Sequence, residues 1–580
     1  MEGNGLTGYP SIDKPWLKYY TEDAINAKMP ECTMYEYLWQ SNKNHLNDTA
    51  LRYFDRKVSF GEMFDNIEKA AKAFTAIGLK RGDIIIMATV TTPETVYAFY
   101  ALNRLGVIPN MVDPRTSREG IREYIREVDA KVVLTLDVAY PKIEKAIVGT
   151  NVDRVIVTSP ANSLPPVKKT LFLLSEKIKG NTYRFADNCV VWEQFVENGS
   201  RVTPNDVPYE KDSCCVIVHT GGTTGLPKGV MLSNENVNAL VLQSILTGID
   251  MKREHTWMDI MPPFIAYGIG MGLHLPLVIG METILIPSFD AKKFDELLLK
   301  HKPIHMVGVP SYWGVIINSK KLAKKDLSYI IAPTVGGDTM DATLEKNANA
   351  FLRDHGCQYP VTKGYGMTEV CAGVSGTVDA NNEIGSVGIP FVQTVISVFD
   401  PETGDELKYN EQGEICISGP NVMLGYYNNQ AATDAIKRTH KDGSVWIHSG
   451  DIGYMTENGS LYIVDRVKKM IVRYDGFKVF PSLIEKAVSS HEVVASCCAV
   501  GTPDKEHAQG KLPVVFVVLK PGYSDKGADL EKELFALCKK ELPEYAQPIA
   551  FQFVDALPLT PIGKVDYRAL EKETVVNLNT

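Results

Sequence analysis

Residues 220 to 228 read Thr-Gly-Gly-Thr-Thr-Gly-Leu-Pro-Lys, directly after an apolar run, Cys214-Cys-Val-Ile-Val-His219. A strand that empties into glycines and hydroxyls is suited to phosphate. Gly221, Gly222 and Gly225 let backbone N–H groups turn toward an anion without a Cβ clash. Thr220, Thr223 and Thr224 add hydroxyl donors, and Lys228 adds charge. The spacing is not that of a Walker loop, because no Gly-Lys-Ser/Thr tripeptide closes it. Two glycines and a lysine would read as an ordinary turn; three glycines, three threonines and a lysine in nine residues point to polyphosphate.

Five further patches carry chemistry. Val335-Gly336-Gly337-Asp338 follows Ser328-Tyr-Ile-Ile-Ala-Pro333, which reads as a strand. Glycines at a strand's carboxyl end are where open α/β sheets bind ligands, although a tight turn is the commoner meaning. Lys363-Gly-Tyr-Gly-Met-Thr-Glu369 offers an aromatic for stacking (Tyr365), a close-approach glycine (Gly366) and a hydroxyl (Thr368). Its carboxylate, Glu369, has the hard oxygens that Mg²⁺ prefers. Ser449-Gly-Asp451 offers a carboxylate after a turn, suited to the hydroxyls of a ribose but weak alone. Asp465-Arg-Val-Lys-Lys469 reads first as a solvated charge run. Leu559-Thr-Pro-Ile-Gly-Lys564 carries a lysine far in sequence from every other candidate.

The elements that must position these groups alternate. Phe60 to Leu79 has Met63, Ile67, Ala70, Ala71 and Phe74 at helical spacing, and Asp83 to Val90 reads as a buried strand. Thr92 to Leu105 is a helix stopped by Gly106. Ser117 to Val128 is an amphipathic helix, followed by a strand at Lys131 to Leu136. Such alternation predicts parallel sheets covered by helices. Proline and lysine cluster at Ser159 to Thr170, read as a surface loop. After Gly450 the pattern changes to short alternating strands, and everything after Val467 is long enough for its own α+β domain, with a strand at Lys511–Leu519 and a helix at Leu530–Glu541.

Composition sets bounds on function. The chain has 580 residues, 44% apolar and 23% charged, with a net charge of −9. That balance argues against a nucleic-acid surface. Ten cysteines include Cys214-Cys215 and Cys497-Cys498 but no CxxC, so they read as small hydrophobes rather than metal ligands or disulfides. The amino terminus lacks a basic and an apolar signal region, which predicts a cytoplasmic protein. Gly268 to Pro287 is broken by His274, Pro276 and Glu282 and is a poor membrane span; peripheral membrane contact and a monomer or homodimer stay open.

Taken in order, several segments resemble one family. They are Asn110-Met-Val-Asp-Pro-Arg-Thr-Ser117, the Thr220 loop, Tyr365-Gly-Met-Thr-Glu369, Gly385-Ser-Val-Gly-Ile-Pro390 and Gly425-Tyr-Tyr427. They continue through Trp446-Ile-His-Ser-Gly-Asp451, Asp465-Arg466, Gly476-Phe-Lys-Val-Phe-Pro481 and Pro561-Ile-Gly-Lys564. The resemblance is to the adenylate-forming superfamily of acyl-CoA synthetases, nonribosomal adenylation domains and firefly luciferase. It covers nearly the whole chain, and the Thr220-Gly-Gly spelling and length are most like a medium- or long-chain fatty acyl-CoA synthetase.

This resemblance implies a large domain, 1–466, of helix-covered, mainly parallel sheets with a small β-barrel-like part, and a small mobile α+β lid, 467–580. It implies that a carboxylate attacks the α-phosphate of Mg·ATP, and that the thiol of coenzyme A then displaces AMP. By the same resemblance, the loop Thr220, Gly221, Gly222, Thr223, Thr224, Gly225 and Lys228 grips the phosphates, and Thr220 with Glu369 binds Mg²⁺. Gly336, Gly337 and Asp338 would line the base pocket, with Tyr365, Gly366 and Met367 against adenine and Thr368 on the α-phosphate. Asp451 and Arg466 would take the ribose, Lys468 the hinge, and Lys564 the developing charge. Arg473, Gly476 and Lys478 would face the coenzyme A tunnel.

Two departures stand out: Pro262-Pro-Phe-Ile265 replaces the family's Pro-Leu-Phe-His, and Ser449 replaces a threonine. The acyl pocket would be drawn from Phe264, Ile265, Tyr267, Gly268, Trp313 and Val370, with small glycines at 270, 272, 373 and 376 and no Asp or Lys to anchor an ammonium. An apolar pocket favours a fatty or aryl acid, because an unpaired buried charge is costly. A carrier-protein phosphopantetheine acting in trans is the alternative acceptor, and a noncatalytic nucleotide-binding regulator is the alternative class.

Overall fold

The computed structural model describes residues 5–178, 184–220, 227–466, 469–474, 477–507, 510–523, 527–558 and 565–577. Local chemistry sets the helix ends. The Ser59 hydroxyl accepts the Glu62 N–H and starts the helix Phe60–Ala76, which buries Met63, Phe64, Ile67, Ala70, Ala71 and Phe74. It stops short of the expected Leu79 because Gly78 turns left-handed, at φ 84. Thr92 and Ser117 likewise cap Pro93–Arg104 and Arg118–Glu127.

Two sheets form the body of the large unit. In one, strands Thr49–Tyr53, Glu282–Leu285, Thr256–Asp259, His305–Gly308, Ala332–Val335 and Thr362–Tyr365 run parallel in that spatial order. The other centres on Cys214–His219, Ile108–Met111, Ile84–Ala88, Val132–Leu136 and Arg154–Thr158, also parallel. The antiparallel strand Gly229–Ser233 returns alongside Cys214–His219 from the glycine-rich loop. A five-stranded sheet holds Val395–Phe399, Gly413–Ser418, Val445–Met455, Lys437–Thr439 and Leu461–Arg466, the small barrel-like part that the resemblance implies.

The chain divides into two compact units, Met1–Ile396 with Cys416–His448 and Glu457–Leu461, and Ser397–Ile415 with Ser449–Thr456 and Tyr462–Thr580. The second unit is thus discontinuous, and its two earlier stretches, Ser397–Ile415 and Ser449–Thr456, carry no boundary signal in the sequence. Within the second unit, Val494–Pro503 and Lys511–Leu519 pair antiparallel and Ala550–Phe553 joins in parallel. Ile484, Val488, Val515, Val517 and Leu534 fill its core.

Two expectations need correction. Only 159–165 is loop; Pro166, well placed at a first helical position, opens a helix that runs to Ile178. The strand expected at Ser328–Pro333 begins at Ala332, because Asp326 accepts the Ser328 N–H and Leu327 the Ile330 N–H, making a turn first. None of the ten cysteines forms a disulfide, and burial pushes Cys214 and Cys371 up to about 12, as inert small hydrophobes should behave. Among the described residues, no helix is long and apolar enough to cross a membrane.

Candidate active site

The expected residues of the large unit gather at the carboxyl ends of its strands. Thr220 follows Cys214–His219, Gly336 to Asp338 follow Ala332–Val335, and Thr368 and Glu369 follow Thr362–Tyr365. The neck of the glycine-rich loop is closed by two hydrogen bonds, from Thr220 N–H to the Lys228 carbonyl (3.1 Å) and from Lys228 N–H to the Thr220 hydroxyl (3.2 Å). Gly221, Gly222, Thr223, Thr224 and Gly225 lie outside the described residues. Under this neck His219 Nε2 meets Asn110 Oδ1 at 2.6 Å, and burial lowers the imidazole to about 4, so it stays neutral.

A strained turn presents Glu369. Thr368–Val370 is a single 3₁₀ turn, followed by Cys371 and Ala372 at φ 54 and 78, two non-glycine residues in the left-handed region. Such conformations cost on the order of 1–3 kcal/mol each and persist where surrounding structure enforces them. Gly366 is required here, since a Cβ would lie 1.6 Å from the Ala372 carbonyl oxygen. The buried Glu369 carboxylate accepts a 2.6 Å hydrogen bond from the Tyr426 hydroxyl, and its carbonyl accepts the Met423 N–H at 3.0 Å. Tyr426 pairs with Val230 on the strand leaving the loop, and the Lys228 ammonium stands 4.6 Å from its ring centroid.

One tyrosine therefore ties the loop cation to the metal-type carboxylate. Burial first, and Glu369 second, raise its phenol well above the ordinary tyrosine value. In the sequence Gly425-Tyr-Tyr427 serves only as a landmark and this role goes unseen, because the contact spans 57 residues of chain.

On the base side, Gly336 N–H donates to the Gly308 carbonyl (3.1 Å), Gly337 is left-handed at φ 78, and Asp338 is exposed, accepting the Thr339 N–H. Tyr365 is buried, and Met367 and Thr368 are half-buried. The buried Tyr267 hydroxyl has no partner among the described residues and stands 3.4 Å from where a Gly336 Cβ would be.

The expected acyl-pocket residues divide. Phe264, Ile265 and Tyr267 keep some exposure, with the Arg115 guanidinium 5.8 Å from the Phe264 ring centroid. Trp313 and Val370 are fully buried, Trp313 in a core with Phe294 and Met306. Gly268, Gly270 and Gly272 belong to a π-helical turn, Gly268–His274. Their missing Cβ atoms would sit 1.9 Å from the Pro262 oxygen, 2.5 Å from Leu240 Cδ2 and 2.6 Å from Asp259 Oδ1. These glycines let the turn pack closely against Pro262, Leu240 and Asp259. His274, with Tyr100 hydroxyl and Asn238 Oδ1 each at 2.9 Å from its ring nitrogens, is a satisfied core residue, lowered to about 3 by burial.

Asp259 is a carboxyl beside this segment that sequence reasoning misses. It is fully buried; Oδ1 accepts the Met261 N–H at 3.0 Å, and Oδ2 has no partner among the described residues. Burial pushes it up to about 8. An unfolded aspartate ionises near ~3.9, so between these values the native protein holds one proton more than the unfolded chain. Stability should fall as pH rises through that window, by up to about 1.4 kcal/mol per pH unit, and level off above it. Asp259→Asn keeps the acceptor for Met261 and should flatten this slope. Unfolding midpoints measured from pH 4 to 9 for both proteins check this, and identical slopes would count against it.

In the second unit, Arg466 Nε meets Asp451 Oδ1 at 2.8 Å. Asp451 is buried, and its N–H donates to the Ser449 hydroxyl (3.0 Å), which itself donates to the Ile415 carbonyl (2.6 Å). A serine thus supplies the hydroxyl expected of threonine. Arg473 Nη1 donates to the Tyr545 carbonyl (3.3 Å), and Lys478 pairs with Val472 in a two-stranded ribbon. Lys468, Gly476 and Lys564 lie outside the described residues.

Residues 38–427 match the family described as AMP-binding enzyme, and residues 483–564 match the AMP-binding enzyme C-terminal domain. The chain belongs to the AMP-binding enzyme family. Among curated relatives of this AMP-binding enzyme, a long-chain-fatty-acid–CoA ligase of Bacillus subtilis strain 168 is 31% identical, covering 97% of this chain and 98% of the other. A probable 4-coumarate–CoA ligase 1 of Dictyostelium discoideum is 30% identical over 86% and 87% of the two chains. Among solved structures, ATP-bound MatB from Rhodopseudomonas palustris superposes with a TM-score of 0.79 at 21% identity, over 93% and 98% of the chains, a likeness of fold.

The donor set of this enzyme fits Mg²⁺. Glu369 offers a buried carboxylate already held by a phenol and Thr220 a hydroxyl, the hard-oxygen chemistry that Mg²⁺ uses together with phosphates and water.

Proposed function

We propose that this AMP-binding enzyme couples a carboxylic acid, a fatty acid in the leading reading, to coenzyme A. The acid's oxygen forms a bond to the α-phosphorus of ATP as the bond to pyrophosphate breaks. The thiolate then bonds to the acyl carbon, and AMP leaves. The observation that supports this reading most is the joining of Lys228 and Glu369 through Tyr426. It gathers a cation and a hard carboxylate where a polyphosphate would need both.

Each residue has a physical task. The first step drives a carboxylate at a polyanion, so fixed donors and cations must neutralise both and align them. The Thr220–Lys228 loop would hold the β and γ phosphates, which depart. Glu369 and Thr220 would hold Mg²⁺, which supplies charge neutralisation of the triphosphate when bound. Thr368 would donate to the α-phosphate, and Lys564 would meet the charge developing between carboxylate and phosphorus. Tyr365, Gly336, Gly337 and Asp338 would cradle adenine. Asp451, accepting from the ribose hydroxyls, would need its own orientation fixed, which Arg466 and the Ser449 hydroxyl supply.

Phe264, Ile265, Tyr267, Gly268, Trp313 and Val370 stand as the acyl-pocket assignment; Arg473, Gly476 and Lys478 as the coenzyme A side; Lys468 as the hinge between domains cut near residue 466. An aryl acid is the second reading, favoured by the 30% identity to the probable 4-coumarate ligase. We place the enzyme in the cytoplasm, a compartment that suits ten cysteines with no disulfide among them.

An ATP–pyrophosphate exchange panel over fatty, aryl and amino acids, followed by mass detection of acyl-CoA, tests the assignment. Fatty acids should drive exchange at least tenfold above the other classes and yield acyl-CoA. Amino acids outperforming both would overturn the substrate class. Exchange without acyl-CoA, but with acylation of an added phosphopantetheinyl carrier, would move the acceptor to the alternative.

A further inference from the structure

Lys437 carries a charge that neither the fold nor the site described above uses. It opens the strand Lys437–Thr439, half-buried and paired with Ile447. No carboxylate among the described residues forms an ion pair with it; burial lowers its pKa, and the Asp212 carboxylate offsets only part of that shift. Its Nζ instead donates to two successive backbone carbonyls, Met423 at 2.9 Å and Leu424 at 3.2 Å. Taking an ammonium out of water is costly unless its hydrogens find acceptors, and a charged donor makes the stronger hydrogen bond. One cation therefore clamps two carbonyls.

Those carbonyls belong to the segment Met423–Tyr427, which joins the Glu369 turn to the strand Gly229–Ser233. At one end the Met423 N–H donates to the Glu369 carbonyl (3.0 Å). Leu424 and Tyr427 donate to the Met231 and Gly229 carbonyls, at 3.0 and 2.8 Å. The Tyr426 N–H goes to the Thr433 hydroxyl at 2.9 Å, and that hydroxyl donates to the Asn429 carbonyl at 3.0 Å. Thr433, within the helix Gln430–Ile436, and Lys437, just past its end, thus hold the middle of the segment. The Tyr426 hydroxyl that the segment carries meets Glu369 Oε1 at 2.6 Å.

We propose that Lys437 is a positioning residue for Glu369. By clamping Met423 and Leu424 it fixes where the Tyr426 hydroxyl stands, and so which way the carboxylate turns toward Mg·ATP. A carboxylate held through one oxygen keeps the other aimed at a metal, and groups that orient a ligand from behind are typically worth about 10–100-fold in metal affinity. Lysine suits the task, since its rotatable donors on a flexible stem reach two carbonyls at once. A shift of the segment by about 1 Å would lengthen the phenol–carboxylate bond and free the carboxylate to rotate, an error large enough to matter at a reacting site.

This rests on the nucleotide part of the proposed function and on nothing about the acid. The test is calorimetric titration of the full chain with Mg²⁺ and α,β-methylene-ATP, whose α–β bond resists cleavage. Lys437→Met should weaken binding by about 10–100-fold at limiting Mg²⁺ and recover toward native when Mg²⁺ is in excess. Lys437→Arg, which keeps the charge and the donors, should recover most of the loss. In a Glu369→Gln background Lys437→Met should cost nothing more, because its effect runs through that carboxylate. In pyrophosphate exchange, KM for Mg·ATP should rise while KM for the acid holds. Lys437→Gln, which shortens the donor without removing it, carries the same expectations in weaker form should Lys437→Met not fold. A loss that is equal at every Mg²⁺ concentration, or that adds in full to Glu369→Gln, would make Lys437 a merely structural residue and overturn the inference. So would native affinity in Lys437→Met. A native protein that binds no analogue would remove the nucleotide reading itself, and this inference with it.

Discussion

Lys564→Ala is expected to slow acyl-adenylate formation by about 10²–10³-fold and to leave thioester formation from supplied acyl-AMP nearly unchanged. The reason lies in where charge develops. In the first step an anionic carboxylate approaches an anionic phosphate, and an ammonium placed between them, as proposed for Lys564, would stabilise the transition state more than either separated partner. In the second step the acyl–phosphate anhydride already exists and AMP departs, so that ammonium would have little left to do. Loss should appear in the rate and not in binding: KM for ATP should stay close to native while kcat falls, the signature of an interaction made in the transition state. Lys564→Arg should recover only part of the rate, because a planar guanidinium does not substitute for a compact point charge. Pyrophosphate exchange reads the first step, and single-turnover release of AMP from acyl-AMP and coenzyme A reads the second. Equal loss in both would remove Lys564 from its assigned place.

How far the site is legible in the sequence depends on the distance over which its information is stored. The Thr220–Lys228 loop is legible because glycines, hydroxyls and a lysine lie within nine residues and the preceding strand is a local apolar run. Helix starts at Ser59 and Ser117 are legible because a cap is a contact three residues long. Tyr426 is not, since its partners Glu369 and Lys228 come from other elements. The glycines at 268, 270 and 272 suggest an open pocket by their size alone; which side of each is crowded is decided by Pro262, Leu240 and Asp259. Asp259 itself sits in the sequence as an ordinary acidic residue, and its proton is retained only because tertiary packing buries it. The helix after Pro166 is hidden by the prolines and lysines that usually mark a loop. Its outward aliphatic face also lacks the core to which a helical period normally points.

Glu345→Gln should destabilise the large unit by about 3–5 kcal/mol, the cost of leaving a buried charge without its partner. Lys363 and Glu345 are both buried, on the strand that leads to Tyr365 and on the helix Ala342–Asp354. The Lys363 ammonium contacts the Glu345 carboxylate and donates to the Glu383 carbonyl at 2.8 Å; the second Glu345 oxygen accepts the Gly385 N–H at 2.9 Å. Burial lowers the lysine's pKa and the carboxylate opposes that shift, so removing the carboxylate leaves an ammonium that burial alone disfavours. Lys363→Met should cost a similar amount from the other side. The double variant Glu345→Leu/Lys363→Met should regain most of the loss, since well-packed apolar pairs often replace buried ion pairs at no net cost. Urea unfolding of the native protein, Glu345→Leu, Lys363→Met and the double variant closes this cycle, and a coupling energy below about 0.5 kcal/mol would mean that the pair does not act as a unit. The pair also has a place in the site. Lys363 N–H and C=O are both bonded to Thr377, at 2.8 Å each, and the pair holds the Gly385 loop beside the strand whose next residues are Gly364 and Tyr365. A double variant that regains stability but keeps a raised KM for ATP would show that the ion pair sets the register in which Tyr365 and Glu369 meet the nucleotide, beyond holding the fold together.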